Sequence, residues 1–351
     1  MGAQLVGLVA CLACVGGSSI GCDNAPDADP CDMCASNERC EVVTASCEVV
    51  CAPPRLPRFA MVPVGLALPL ESGAEVALST DAQASIAEDA WRSVDAVTLD
   101  QVGVTTVHAR WKTRPAACTE DTQFVATYAV VAHLPDATEA AGAVDAVALD
   151  DSRIDAWASG WQRPITFGTN LEPAWKHIER ALGAATGEFD DVVSLGNGGA
   201  LTFTFDETIS DGPGLDLAVF ENGFSPAFLE LAHVEVSSDG EHFARFPSLS
   251  LQTEVVPGYG TLDAREVSGV AGRFAGGYGT GFDLAQLVDD DAVATGRLDL
   301  GAVRFVRIVD IVGDGLALDS LGHPLFDPTP TFGSAGFDVD AIAVLRGGGT
   351  P

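Results

Sequence analysis

A chain of 351 residues with 47% hydrophobic content and a mean hydropathy of +0.23 is long enough for two cores and excludes a wholly disordered protein. Fifty acids stand against eighteen bases, a formal net charge of −32, and only Lys112 and Lys176 are lysines. Such a surface repels nucleic acid and anionic lipid, so neither is expected as a partner, and it suits divalent cations or a salty medium. Most of the acids read as solvated surface; only clustered ones ask for another reason.

Residues 3–20 are apolar and small, broken by glycines and too short for a membrane span, and read as a secretory signal over residues 1–21. Cys22 follows Ser19-Ile20-Gly21 and precedes Asp23-Asn24. An apolar run, a small residue and then cysteine resembles a bacterial lipobox, which implies an exported protein lipid-anchored at Cys22 to the outer membrane. Leu8-Val9-Ala10-Cys11 is a second candidate, and the bland alternative is a cleaved signal with Cys22 in a disulfide. Six cysteines remain if Cys22 carries lipid and eight if Cys11 does; both numbers are even, as a disulfide framework needs.

Cys31, Cys34, Cys40, Cys47 and Cys51 crowd a stretch with almost no apolar content, so a stalk over 22–57 is expected to be held by disulfides, the fifth cysteine pairing with Cys118. Cys31-Asp-Met-Cys34 lacks a following histidine at zinc-knuckle spacing. Ala52-Pro-Pro-Arg-Leu-Pro57 reads as a stiff linker.

In 58–150, Val94-Asp-Ala-Val-Thr-Leu99, Val104-Thr-Thr-Val-His-Ala-Arg-Trp111 and Phe124 to Leu134 alternate at period two. They predict strands of a small immunoglobulin-like sandwich, with a short helix possible over 82–91. His108 and His133 fall inside these strands and read as satisfied or surface imidazoles. From 151 to 347 the pattern is again short strands with Gly, Asn and Pro turns. The exception is 172–182, where Pro173 at the first turn and Gly183 as a cap predict a helix. Predicted strands include Asp216 to Glu221, the run ending at Ser237-Ser-Asp-Gly240, Val303 to Asp310 and Phe337 to Leu345. Many short strands with little helix predict a jelly roll.

The segments SLGNGGALTFTF, DGPGLDLAVFENGF, FLELAHVEVSSDGEHFARFP, VRFVRIVDIVGDG and GFDVDAIAVL, in that order over 152–346, resemble a family of secreted bacterial cell-surface proteins and lipoproteins. The resemblance implies a jelly-roll-like domain similar to carbohydrate-binding modules. His233 stands where that family usually has an aromatic and His323 where it has a polar residue, which argues against a histidine-based active site.

Calcium takes six to eight hard oxygens from carboxylates, amides and carbonyls on rigid turns. Candidates are Asp216, Glu221, Asn222, Asp310, Asp338 and Asp340, with Asp211, Asp314, Asp319 and Asp327; several sit at strand ends, and Asp216, Asp310 and Asp338 each flank a strand core, so a sheet could gather them at one edge. The competing reading is that these acids cap turns and bond local amides. No Gly-x-Ser-x-Gly elbow, His-Glu-x-x-His or phosphate loop occurs, and with fifty acids any carboxylate pair is uninformative about glycosidase chemistry. The irregular stretch 255–282 carries Tyr259, Phe274 and Tyr278, aromatics suited to stacking on sugar rings; Trp157, Trp161 and Trp175 read as core.

The sequence thus predicts an all-β chain with a disulfide-rich stalk, a smaller immunoglobulin-like sandwich and a C-terminal jelly-roll-like sandwich stabilised by calcium. The function expected is non-enzymatic binding of an extracellular glycan or protein ligand at the cell surface, with the membrane reached only through a lipid anchor. A structural or adhesive role is the alternative, and a secreted hydrolase the second.

Overall fold

A computed structural model describes residues 38–41, 46–49, 53–113 and 123–346 except 224 and 276. The predicted signal, the Cys22 lipid site and Cys31, Cys34, Cys51 and Cys118 lie outside these residues. Cys40 and Cys47 occupy facing positions where β1 (Glu38–Glu41) pairs antiparallel with β2 (Ser46–Val49).

The remaining strands are β3 (Met61–Pro63), β4 (Ala67–Pro69), β5 (Ala74–Ser79), β6 (Ala96–Thr98), β7 (Gly103–Trp111), β8 (Phe124–Val131), β9 (Ala146–Ala148), β10 (Ile154–Trp157), β11 (Gly160–Thr166), β12 (Val193–Ser194), β13 (Ala200–Ile209), β14 (Leu217–Glu221), β15 (Ala232–Ser237), β16 (Ala244–Arg245), β17 (Leu249–Ser250), β18 (Val267–Ser268), β19 (Tyr278–Phe282), β20 (Val303–Asp310) and β21 (Asp338–Leu345). The fold is all-β. One α-helical turn, α1 (Asp291–Ala294), is capped by Asp290. Among the described residues no helix is long and apolar enough to cross a membrane.

The chain divides into two units that alternate along the sequence. The first gathers the described residues of 38–56, 69–97 and 106–126; the second takes 57–68, 98–105 and 127 onward. In the first, β5 runs antiparallel to the 106–111 part of β7. His108 is buried there with Nε2 2.9 Å from Ser79 Oγ, and Arg110 covers the Trp91 ring at 4.2 Å. The division differs from a break at 150: β9 belongs to the second unit and pairs with β19.

The second unit is a sandwich. One sheet has the order β10-β21-β14-β19-β9, with β12 added to β21; the other has the order β11-β13-β20-β15-β16. All these pairings are antiparallel; β15 with β16 is a local hairpin, whereas β13 with β20 and β14 with β21 join strands distant in sequence, as jelly-roll-like crossovers require. Alternation explains the packing. Leu217 and Val219 of β14 and Ile342 of β21 face inward to meet Phe203, Val234, Val306 and Ile308 of the other sheet. Ala218, Phe220, Ala341 and Ala343 fill a second cluster with Val147 and Leu345, so this sheet is buried on both faces. Each such Phe or Leu stabilises the fold by roughly 1.5–3 kcal/mol.

The predicted helix over 172–182 is corrected by the structure to two 3₁₀ turns, Pro173–Trp175 and Ile178–Ala181. Only Ile178 and Ala181 bury a side chain, which is too short an apolar stripe to hold a regular helix against the core. The helix considered over 82–91 reduces to the 3₁₀ turn Glu88–Ala90.

Candidate functional site

The strand-end acids separate into two chemical groups. Most are staples whose oxygens hold backbone amides. Asp216 accepts from Gly212 N at 2.9 Å and Leu284 N at 2.8 Å. Asp310 accepts from Gly198 N and Phe337 N, both at 2.7 Å. Asp340 accepts from Thr186 N and Gly187 N. Asp319 holds Ser250 N, Leu321 N and His323 N, Asp327 holds Leu231 N, and Asp314 holds Leu316 N. Their turns would otherwise leave buried N–H groups unpaired.

Glu221, Glu230 and Asp338 differ. They are 8%, 3% and 3% exposed. Glu221 ends β14 and accepts from Gly223 N at 2.9 Å. Asp338 opens β21, and its Oδ2 accepts from Asn222 Nδ2 at 3.2 Å; Asn222 also donates to the Phe189 carbonyl. Glu230 Oε1 has no hydrogen-bond partner; the Ser194 hydroxyl faces Asp338 across the β12–β21 pair and, with Asn222, favours the charged form of its carboxyl. Burial pushes the carboxyls of Glu221 and Glu230 well above their ordinary range, and the Asp338 charge adds to both shifts. Among the described residues no Arg, Lys or His forms an ion pair with any of the three.

Glu230 was not among the residues read as ligands from the sequence. In Leu229-Glu230-Leu231 it resembles an outward-facing polar residue of a strand, yet all three are buried. Gly272 records the crowding: at φ +87° it sits so close that a Cβ would lie 1.9 Å from the Glu230 carbonyl oxygen.

Asp211, Asp216 and Asp283 form the one acid trio among the described residues with oxygens all within 4.8 Å of one another. Two of its members are staples: Asp216 as above, and Asp283 through Ala285 N at 2.9 Å.

The aromatic candidates part company. Phe274 is 1% exposed beside the Arg273 guanidinium, 5.1 Å from its ring, so it has no face open to a ligand. Tyr278 opens β19 opposite Ala148 and is half-buried. Tyr259 is 62% exposed. It lies third in a tight turn closed by Gly260 N to Pro257 O at 2.7 Å, with φ +58°. A side chain in that region costs about 1–2 kcal/mol, which the surroundings must offset. Its ring stacks on Phe228 with centroids 5.9 Å apart and planes at 21°, and its hydroxyl bonds the Phe332 backbone. Phe332 is itself 59% exposed. Of the tryptophans, Trp157 packs on Phe220 at 5.6 Å, Trp175 is half-buried and Trp161 is exposed.

A cavity of about 370 Å³ opens elsewhere in this unit, among Arg58, Thr127, Asp145, Arg153, Asp283 and Gln286. Arg58 pairs with Asp289, Arg153 with Asp151 at 2.7 Å, and Asp145 with the fully buried Arg273. His233 is buried with no partner on either ring nitrogen, and burial pushes it down to about 3; it fills space as a neutral ring. His323 lies beside Asp319 at 3.2 Å on the surface.

No protein-family model matches the chain, and no curated protein matches it. Among solved structures it is similar to a SusE-like protein, at 10% identity and a TM-score of 0.30, over 84% of this chain and 97% of that one. It is also similar to a two-domain protein of unknown function from Bacteroides fragilis, at 10% identity and a TM-score of 0.22, over 85% of this chain and 86% of that one. The functional reading therefore rests on the geometry of the site itself.

Proposed function

We propose that this chain is an exported, non-enzymatic surface protein that binds an extracellular glycan on the Tyr259 platform. The observation that carries the reading is the conformation of Tyr259: an exposed aromatic held at φ +58°, backed by Phe228 and pinned through its hydroxyl. A turn needing positive φ at this position favours glycine or asparagine. A tyrosine kept there, exposed and immobilised, serves a contact outside the fold better than the fold itself. The apolar face of a pyranose matches such a ring, whose rigidity keeps the entropic cost of binding small. Phe332 extends the apolar surface next to it.

The test is a glycan array probed with the full chain, its Tyr259→Ala and Phe332→Ala variants, and Gln286→Ala as a control in the cavity. The reading expects a glycan class retained by the wild type and by Gln286→Ala and lost by Tyr259→Ala. Retention by Tyr259→Ala with loss in Gln286→Ala would move the ligand to the cavity. Tyr259-dependent adhesion to cells without any glycan signal would favour a protein contact.

A further inference from the structure

We propose that Glu221, Glu230 and Asp338, with the Ser194 hydroxyl beside them, form a calcium site inside the sandwich, separate from the glycan platform. Three observations converge. Glu230 Oε1 is buried without a partner, and among the described residues the oxygens of Asp338 meet only neutral side chains, Ser194 and Asn222. The residues that carry them are at least nine-tenths buried, where an unpartnered charged oxygen is far more costly than at a surface. And no cationic side chain among the described residues pairs with these acids, whereas the buried Asp145 elsewhere in the unit has Arg273.

The donor set selects the metal. Every candidate ligand is a hard oxygen, with no imidazole or thiolate among them, which disfavours zinc and copper and favours calcium. Asn222 turns its amide nitrogen to Phe189 O and Asp338 Oδ2 and so orients the carboxyl rather than ligating the ion. The oxygens of Glu221, Glu230 and Asp338 are not all within 4.8 Å of one another, the span that direct ligation at about 2.4 Å permits. One carboxylate therefore reaches the ion through a water, a usual arrangement in calcium sites. Glu221 and Glu230 bracket the connection from β14 to Phe228, so the ion ties both ends of the segment that backs Tyr259.

The strand-end staples are not part of this site. Asp216, Asp310 and Asp340 each have both oxygens on amides and stay bonded with or without metal.

The experiment is calcium titration of the chelator-treated full chain by calorimetry and thermal unfolding, with Glu230→Gln, Asp338→Asn and the exposed Asp211→Asn variant. The site predicts one calcium per chain, a melting temperature raised by calcium and not by equal magnesium, and at least tenfold weaker binding in Glu230→Gln and Asp338→Asn. Asp211→Asn should bind as the wild type does. Without calcium, Glu230→Gln should melt no lower than the wild type, because a neutral amide of the same shape replaces an acid that burial disfavours in its charged form. No binding by the wild type overturns the proposal. So does unaltered affinity in Glu230→Gln, or loss of binding in Asp211→Asn, which would place the ion at Asp211, Asp216 and Asp283.

Discussion

The Tyr259 hydroxyl accepts a hydrogen bond from the Phe332 amide at 3.0 Å and gives one to the Phe332 carbonyl at 3.3 Å, so a single side chain locks two loops by a two-way bond. That clamp opposes a backbone conformation unfavourable for any residue with a Cβ. Comparing two truncations isolates the backbone term. Tyr259→Gly and Tyr259→Ala both lose the ring and the clamp, but only alanine keeps the φ penalty. Urea unfolding should find the glycine variant about 1 kcal/mol more stable than the alanine variant. Equal midpoints would mean that the turn relaxes once the ring is gone.

Arg273 is fully buried; besides Asp145, its hydrogen bonds among the described residues go to the carbonyls of Pro135 and Ala264. Asp145→Ala leaves the guanidinium uncompensated and should cost about 3–5 kcal/mol in chemical denaturation. The double variant Asp145→Ala, Arg273→Met removes both charges and should be more stable than the single one. A double variant worse than Asp145→Ala would show that the carbonyl contacts alone satisfy the arginine.

His233 is a ring without a polar partner. Replacing it with phenylalanine should stabilise the fold by about 1–2 kcal/mol at neutral pH, since two desolvated nitrogens disappear. The acid limb should change as well. A folded value of about 3, below the ordinary 6.5, means that the folded state holds fewer protons between those values. Stability from this residue is therefore present above pH 6.5 and lost as pH falls toward 3. His233→Phe should remove that loss, measured as a shallower fall of the urea midpoint between pH 6 and pH 4.

The staples act in the opposite sense. Burial raises Asp216 to about 7 and Asp310 to about 6 from an ordinary 3.8. The folded state keeps protons that the unfolded chain has released, so stability is highest below about pH 4 and declines as pH rises through 6 and 7. In chelator, the urea midpoint at pH 7.5 should lie below that at pH 5, and Asp216→Asn should flatten the difference. A midpoint rising over this interval would mean that the amide hydrogen bonds outweigh the cost of burying the ionised form.

Strand positions were legible because β-branched and aromatic residues alternate between Gly, Asn and Asp turns. Val303–Asp310 fell on the predicted limits, and Asp338–Leu345 within one residue of them. The helix over 172–182 failed for the reason its pattern was weak: Pro173 and Gly183 mark ends convincingly, but the apolar stripe between them is two residues. Asp310 and Asp338 both stand at strand ends, and nothing in the sequence separates them. One meets the amides of Gly198 and Phe337 and the other meets Asn222 and the Ser194 hydroxyl, and those partners come from distant chain positions. Phe274 and Tyr259 likewise look alike in a glycine-rich loop, and only the packing beside Arg273 hides one of them.

The Asp310 staple has a kinetic consequence. Its two oxygens join positions 112 and 27 residues away, bringing the loop before β13 and the start of β21 to the end of β20. Contacts of such separation demand loop closure before they return any stabilisation, so they form after the local hairpins. The two amides depend on one carboxyl, so whatever frees it frees both. In native-state hydrogen exchange the amides of Gly198 and Phe337 should exchange together, ahead of those in the middle of β14.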